Sequence, residues 1–153
     1  MAKMIDPKPG YKGEAKFWQA AHDYLSDDVI IYHNREVKGR EFDFCLLFEN
    51  LGVLIVEVKG WKANEVDVKT PDVINVLSFD QPQHSPKKQA RSYRFNLLGE
   101  IQERINASPV VLDMVCYPFI SKSDYQKLRL DIVSEEAYTL FSEDLEDGIK
   151  LQI

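Results

Sequence analysis

Apolar and polar residues recur with two different periods along this chain, and the changes of period mark its elements. From Glu14 to Leu25 the apolar positions Phe17, Ala21, Tyr24 and Leu25 follow each other at helical steps, which predicts an amphipathic helix. Glu14 precedes Phe17 by three residues and Ala21 by seven, so its carboxylate sits on or beside the stripe that faces the core. The preceding Lys8 to Gly13 is rich in Pro and Gly and predicts a lead-in loop. Three strands are then expected, Val29 to His33, Glu41 to Phe48 and Val53 to Lys59, with Asn34 and Gly39 turning into the second and Asn50-Leu51-Gly52 into the third. Such short turns predict an antiparallel meander. The third strand is apolar on both faces until its last three residues, as in an interior strand whose end opens into a cleft.

Residues 60–85 mix short β-favouring pieces with Pro71, Pro82, His84 and Ser85, which predicts an insertion or irregular β-arm. Ser85 then offers an N-cap and Pro86 a first helical position, opening a helix that is expected to run to about Asn106. Gln89, Tyr93, Leu97, Ile101 and Ile105 form one row along it at four-residue steps. After Pro109 come a fourth buried strand, Val110 to Tyr117, a short helix near Ser121 to Leu128, a strand at Tyr138 to Phe141 and a turn at Ser142 to Leu145. The order α-β-β-β-α-β implies an α/β protein with a central mixed β-sheet flanked by helices, the long helix serving as the crossover. At 153 residues the chain reads as one domain, 1–153, with a core at about 10–120 and an acidic C-terminal extension at 121–153.

Composition changes this picture little: 44% hydrophobic and 29% charged residues are ordinary for a globular domain. Charge changes it more. A net charge of -6 argues against a protein held on nucleic acid mainly by phosphate contacts. The excess is local, however, because residues 131–153 hold seven acids and one base and the other 130 residues hold 18 of each. No apolar run is long enough to span a bilayer and the N-terminal residues lack a signal-peptide core, so a cytoplasmic protein without membrane contact is expected. Cys45 and Cys116 lie in apolar surroundings without metal-site spacing and are expected to be buried thiols.

The chemistry concentrates at the end of the third strand. Glu57 and Lys59 are two apart and project from one face, while Val58 packs on the other. Asp43 on the neighbouring strand can lie beside Glu57, giving two hard-oxygen ligands for Mg²⁺ or Mn²⁺, to which the Val58 carbonyl could add a third. Phosphodiester hydrolysis asks for such a cation together with a positive side chain near the attacking oxygen, a role that fits Lys59. The alternative is a salt bridge on a sheet face, which the surrounding valines and isoleucines disfavour. Gln89 heads the core-facing row of the long helix, where a buried amide needs partners; a capping glutamine with a core tyrosine at Tyr93 is the competing reading. Lys87, Arg91 and Arg94 point away from Gln89 and are expected on a solvated face, leaving Lys88 near the cleft edge. His22, His33 and His84 show no zinc spacing, and His84 reads as a surface-loop residue.

Asp43, followed fourteen residues later by Glu57-Val58-Lys59, resembles the core of PD-(D/E)XK nucleases. Gly13-Glu14, Glu41-Phe42-Asp43, Val56-Glu57-Val58-Lys59-Gly60-Trp61 and Pro86-Lys87-Lys88-Gln89-Ala90 narrow the resemblance to the NERD, or nuclease-related, domain over about residues 10–120. Phe42 stands where the first motif has a proline. Gln89 with Tyr93 is also similar to the Gln-x-x-x-Tyr pattern of RecB-like members. The resemblance implies a restriction-endonuclease-like αβββαβ core, bound Mg²⁺ or Mn²⁺, and a nucleic-acid substrate, DNA before RNA. It further implies Asp43 and Glu57 as metal ligands, Lys59 in catalysis, and Glu14 and Gln89 in support. Lys88, Tyr93 and Trp61 are the expected nucleic-acid contacts around the cleft. Domains of this kind often precede helicase, kinase or other domains, so the chain reads as the N-terminal part of something longer. The alternative function is a nuclease-like module that binds nucleic acid or a partner protein without cutting.

Overall fold

A computed structural model describes residues 1–37, 39–49, 51–105 and 109–148, with backbone only at Arg40 and Ile105. In chain order its strands are β1 (Lys3–Met4), β2 (Val29–Val37), β3 (Arg40–Phe48), β4 (Gly52–Val58), β5 (Val66–Val68), β6 (Val73–Val76), β7 (Gln83–His84), β8 (Val111–Cys116) and β9 (Thr139–Leu140). Its α-helices are α1 (Lys12–Tyr24), α2 (Pro86–Ile105), α3 (Lys122–Lys127) and α4 (Ser142–Asp147).

Six strands make one mixed sheet in the order β1-β2-β3-β4-β8-β9. The meander β2-β3-β4 is antiparallel, as expected, and β1, β8 and β9 each join it in parallel. The parallel pairing of β8 on β4 requires the chain to cross the sheet, and α2 makes that crossing as the sequence predicts. The α/β class and the αβββαβ core are therefore those expected. Asn50 and Asn106, proposed as a turn residue and a helix end, lie outside the described residues.

The two faces of the sheet carry separate cores. Phe17, Ala20 and Ala21 of α1, with Leu25 behind them, pack on Val29, Ile31, Phe44, Leu46, Val56 and Val58. On the other face Phe42, Cys45 and Ile55 meet Tyr93 and Leu97 of α2. Strand β4 is covered on both faces and paired on both edges, which is why it is apolar in every position but Glu57.

Three expectations need correction. Residues 60–85 hold an ordered three-stranded antiparallel sheet, β5-β6-β7, rather than an irregular arm. Its Val66, Ile74 and Val76 pack with Trp61, Val115, Tyr117, Tyr125, Leu130 and Phe141, so it closes a third core with the C-terminal segments. Asn34 is not a turn between strands but lies within β2, which continues to Val37. It keeps its turn-like backbone there, with φ +55°, a left-handed conformation that Asn tolerates better than most residues. The expected final turn at 142–145 extends into α4, capped by the left-handed Gly148.

Ser85 caps α2 as expected, its hydroxyl accepting the Lys88 N–H at 3.4 Å while donating to the Val133 carbonyl at 2.9 Å. Gly52 enters β4 with φ +128°, and a Cβ there would stand 2.4 Å from the Val110 oxygen that accepts the Val53 N–H. Only glycine fits this corner.

Candidate active site

The pairing of β3 with β4 runs from Phe48–Gly52 to Phe44–Val56, and one further step places Asp43 opposite Glu57. At that step the backbone ladder gives way to a side chain: the Val58 N–H donates to Asp43 Oδ2 at 2.8 Å. On its other edge β4 stays paired with β8 through Val58–Cys116. The meander thus forks where the two acidic residues stand. Asn34 lies across from Asp43 on β2, between the pairs His33–Phe44 and Arg35–Phe42, and is itself unpaired. Phe44 packs on the α1 side and Phe42 on the α2 side, so the in-out alternation of β3 slips at Asp43. Local breaks of this kind re-aim a side chain at the end of a sheet.

Glu57 is 4% exposed, and its Oε2 has no hydrogen-bond partner. Its Oε1 stands 3.2 Å from Lys59 Nζ, so the Glu-x-Lys pair does lie on one face. Lys59 in turn lies over the ring of Trp61, 5.8 Å from its centroid. Burial pushes the Asp43 carboxyl up to about 8, and the neighbouring Glu57 charge adds to the rise. The Val58 N–H, which favours the ionised form, pulls it back. Burial raises Glu57 as well, while Lys59 holds it down; a proton on one carboxyl group can bridge to the other, which offsets part of the rise.

Glu14, in the first turn of α1, is close enough for its charge to raise both Asp43 and Glu57. The cause is a contact between backbones. A Cβ on Gly13 would lie 2.9 Å from the Cα of Gly60, the residue after Lys59, so α1 begins directly against the end of β4. Glu14 Oε1 is 3.3 Å from Nε2 of His33, which is buried, while Glu14 is partly exposed. His33 shows no zinc spacing in the sequence, and its place here comes from its strand instead. The available signal was the β2 alternation Val29, Ile31, His33, which puts an imidazole on the core-facing row.

The arrangement brings Asp43, Glu57, Lys59 and Glu14 to one place. Gln89 is less closely joined: its Oε1 is buried without a hydrogen-bond partner, and no hydrogen bond links it to the carboxylates among the described residues. Of the expected nucleic-acid contacts, Trp61 is 3% exposed and belongs to the core beneath the small sheet, so its ring is not open to a base. Tyr93 is half-buried and packs against the sheet. Lys88 is exposed and ion-paired with Asp72, in the bend just before β6.

Lys87, Arg91 and Arg94 are not a simple solvated face. Lys87 and Arg91 pair with Glu135, and Arg94 stands 3.0 Å from Asp113 on β8, around a small polar cavity of about 120 Å³. Helical geometry could not show this, because both acidic partners come from later in the chain.

No group of three or more His, Cys, Asp or Glu side chains is arranged to hold a metal ion among the described residues. The two carboxylates nonetheless suit a hard cation. They stand side by side, Glu57 buried and Asp43 half-buried, one oxygen of Glu57 has no amide, hydroxyl or ammonium partner, and a cation would relieve the repulsion that raises Asp43. The two cysteines are free and buried, as expected. No helix among the described residues is long and apolar enough to cross a membrane.

Comparison with known proteins places this geometry in context. The family model of the nuclease-related domain, NERD, matches residues 9–118. The crystal structure of a repair endonuclease from Pyrococcus abyssi is similar with a TM-score of 0.44 at 12% identity, covering 88% of this chain and 48% of that one. The chain therefore spans about half the length of that endonuclease. No curated protein matches it.

Proposed function

The chain belongs to the nuclease-related domain family, and from that premise we propose that it is a metal-dependent nuclease acting on phosphodiester bonds of nucleic acid, DNA before RNA. One observation carries the reading: Glu57, buried, pairs through one oxygen with a lysine, while its other oxygen has no amide, hydroxyl or ammonium partner and stands beside a second, half-buried carboxylate. A salt bridge alone explains Lys59 with Glu57 but not the second carboxylate, Asp43, set against Glu57.

In this reading Asp43 and Glu57 hold Mg²⁺ or Mn²⁺, and the Val58 carbonyl is the third protein ligand. The ion, when bound, polarises the phosphoryl oxygen and makes a water more acidic. Lys59 stabilises the charge that develops on the phosphate and orients the attacking water, held in place by Glu57 beside it and by the Trp61 ring beneath it. The Val58 N–H fixes the direction of the Asp43 carboxylate. Glu14 supplies further negative charge at the rim of the cleft, and Gln89 is assigned a supporting position at the head of α2. The two buried free thiols support a cytoplasmic setting. The family resemblance further supports an accessory role beside a helicase-like domain in DNA processing.

Mn²⁺ calorimetry beside a plasmid-nicking assay tests the assignment. Asp43→Ala and Glu57→Ala should weaken both metal binding and cleavage. Lys59→Ala should lower cleavage on the order of 10² to 10³-fold and leave metal affinity largely intact. If cleavage survives both Lys59→Ala and chelation of the metal, the non-catalytic nucleic-acid or protein-binding module is the better reading.

A further inference from the structure

The nuclease reading leaves open how a chain with net charge -6 keeps hold of a polyanion. We propose that a groove along the outer face of α1 carries single-stranded nucleic acid to and from the cleft; the inference rests on the nuclease reading for its substrate class. The groove has a volume of about 490 Å³ and is lined by Lys8, Lys12, Lys16, Gln19 and Phe119 among others.

Its charge is opposite to that of the chain as a whole. Lys8, Lys12 and Lys16 line it with a single acid, Asp23, whose carboxylate accepts from Gln19 at 3.0 Å and lies 2.9 Å from His22 Nδ1. Lys12 has no carboxylate within ion-pair distance among the described residues. Lys16 is built into the wall. Its ammonium donates to the Pro118 carbonyl at 2.8 Å, stands 3.3 Å from Glu146, and lies over the Phe119 ring at 5.4 Å. The Phe119 ring thus lies beside the Lys16 ammonium and is 39% exposed.

At its Phe119 end the groove reaches the backbone that follows β4. A methyl group built on Gly60 would lie 3.8 Å from the Phe119 ring, and Gly60 follows Lys59 directly. An aromatic face next to a row of cations is the pattern that binds single strands, because every unpaired base has a face to stack while the lysines follow the phosphates. A duplex keeps its bases stacked on each other and would leave the Phe119 face unused.

The test measures binding of a fluorescent oligo-dT strand and of a duplex of the same length, with EDTA present so that no cleavage occurs. Lys8→Gln with Lys12→Gln should weaken single-strand binding and reduce the slope of log affinity against log salt by about 1.4, two phosphate contacts at the single-strand value. Phe119→Leu keeps an apolar side chain and removes the stacking face; it should weaken single-strand binding about tenfold and leave duplex binding unchanged. Phe119→Trp should restore it. Thermal melts of the same variants check that each is folded. Single-strand binding equal to the parent in both Phe119→Leu and the double lysine variant overturns the proposal. So does an equal loss for duplex in Phe119→Leu, which would make the groove a backbone track for double strands. Failure of the nuclease reading shows separately, as a parent that binds through this groove but never cleaves with Mn²⁺.

Discussion

Asp43 is held in a state that the isolated residue would not choose. The unfolded chain releases its proton near the ordinary value of 3.8, whereas the folded chain, through burial first and the Glu57 charge second, keeps it up to about 8. Between those values the folded state binds more protons than the unfolded one, so stability contributed by this site falls as pH rises through the window. Glu57, raised by burial, acts in the same direction. Asp43→Asn keeps an oxygen for the Val58 N–H and has no proton to lose. In thermal melts with EDTA the parent should therefore lose Tm relative to Asp43→Asn progressively between pH 4 and pH 8, by several degrees at the upper end. Adding Mn²⁺ at pH 8 should raise the parent's Tm and leave the variant's nearly unmoved. Parallel pH profiles for the two proteins would show that Asp43 ionises normally.

The position of α1 rests on one glycine more than on its neighbour. A Cβ at Gly13 would come within 2.9 Å of the Gly60 Cα, whereas a Cβ at Gly60 meets its nearest neighbour at an ordinary 3.6 Å. Gly13→Ala gains about 1 kcal/mol of helix propensity but forces α1 off the end of β4, and overpacking of that kind costs about 1–3 kcal/mol. The net loss is expected at about 1 kcal/mol, roughly 3 °C in Tm, together with a fall in cleavage because Glu14 moves with the helix. Gly60→Ala should change both little. Equal effects in a melt and nicking assay would mean that the contact does not set the helix. Much of this element arrangement was legible in the sequence: periodicity marked α1, the meander and α2, and a charged pair ending an apolar strand marked Glu57 and Lys59. What was not legible depends on distant partners. Glu135 and Asp113 draw Lys87, Arg91 and Arg94 into ion pairs, and Trp61 is buried by the small sheet that follows it. Asn34 carried a turn signal that was correct for its backbone and wrong for its place, since the kink serves a strand.

At the scale of the whole molecule, β3, β8, α1 and α2 all meet at β4, and its two edges differ in how far the chain must travel to satisfy them. The antiparallel edge is closed by a hairpin within residues 40–58, while the parallel edge waits for β8, which arrives only after the small sheet and α2. Local pairings form early and long-range ones late, because loop closure must precede the contacts that reward it. A hairpin without its covering helices leaves Asp43 and Glu57 hydrated, with ordinary acidities, so the cost of burying their charge falls on the last docking step. Kinetically, the site resists completion of the fold rather than its start. Stopped-flow measurements with EDTA should find the unfolding rate of the parent rising between pH 5 and pH 8 while its refolding rate stays nearly constant, and Asp43→Asn should remove most of that rise. A refolding rate that slows instead would place the burial of these carboxylates before the transition state, inside the hairpin itself.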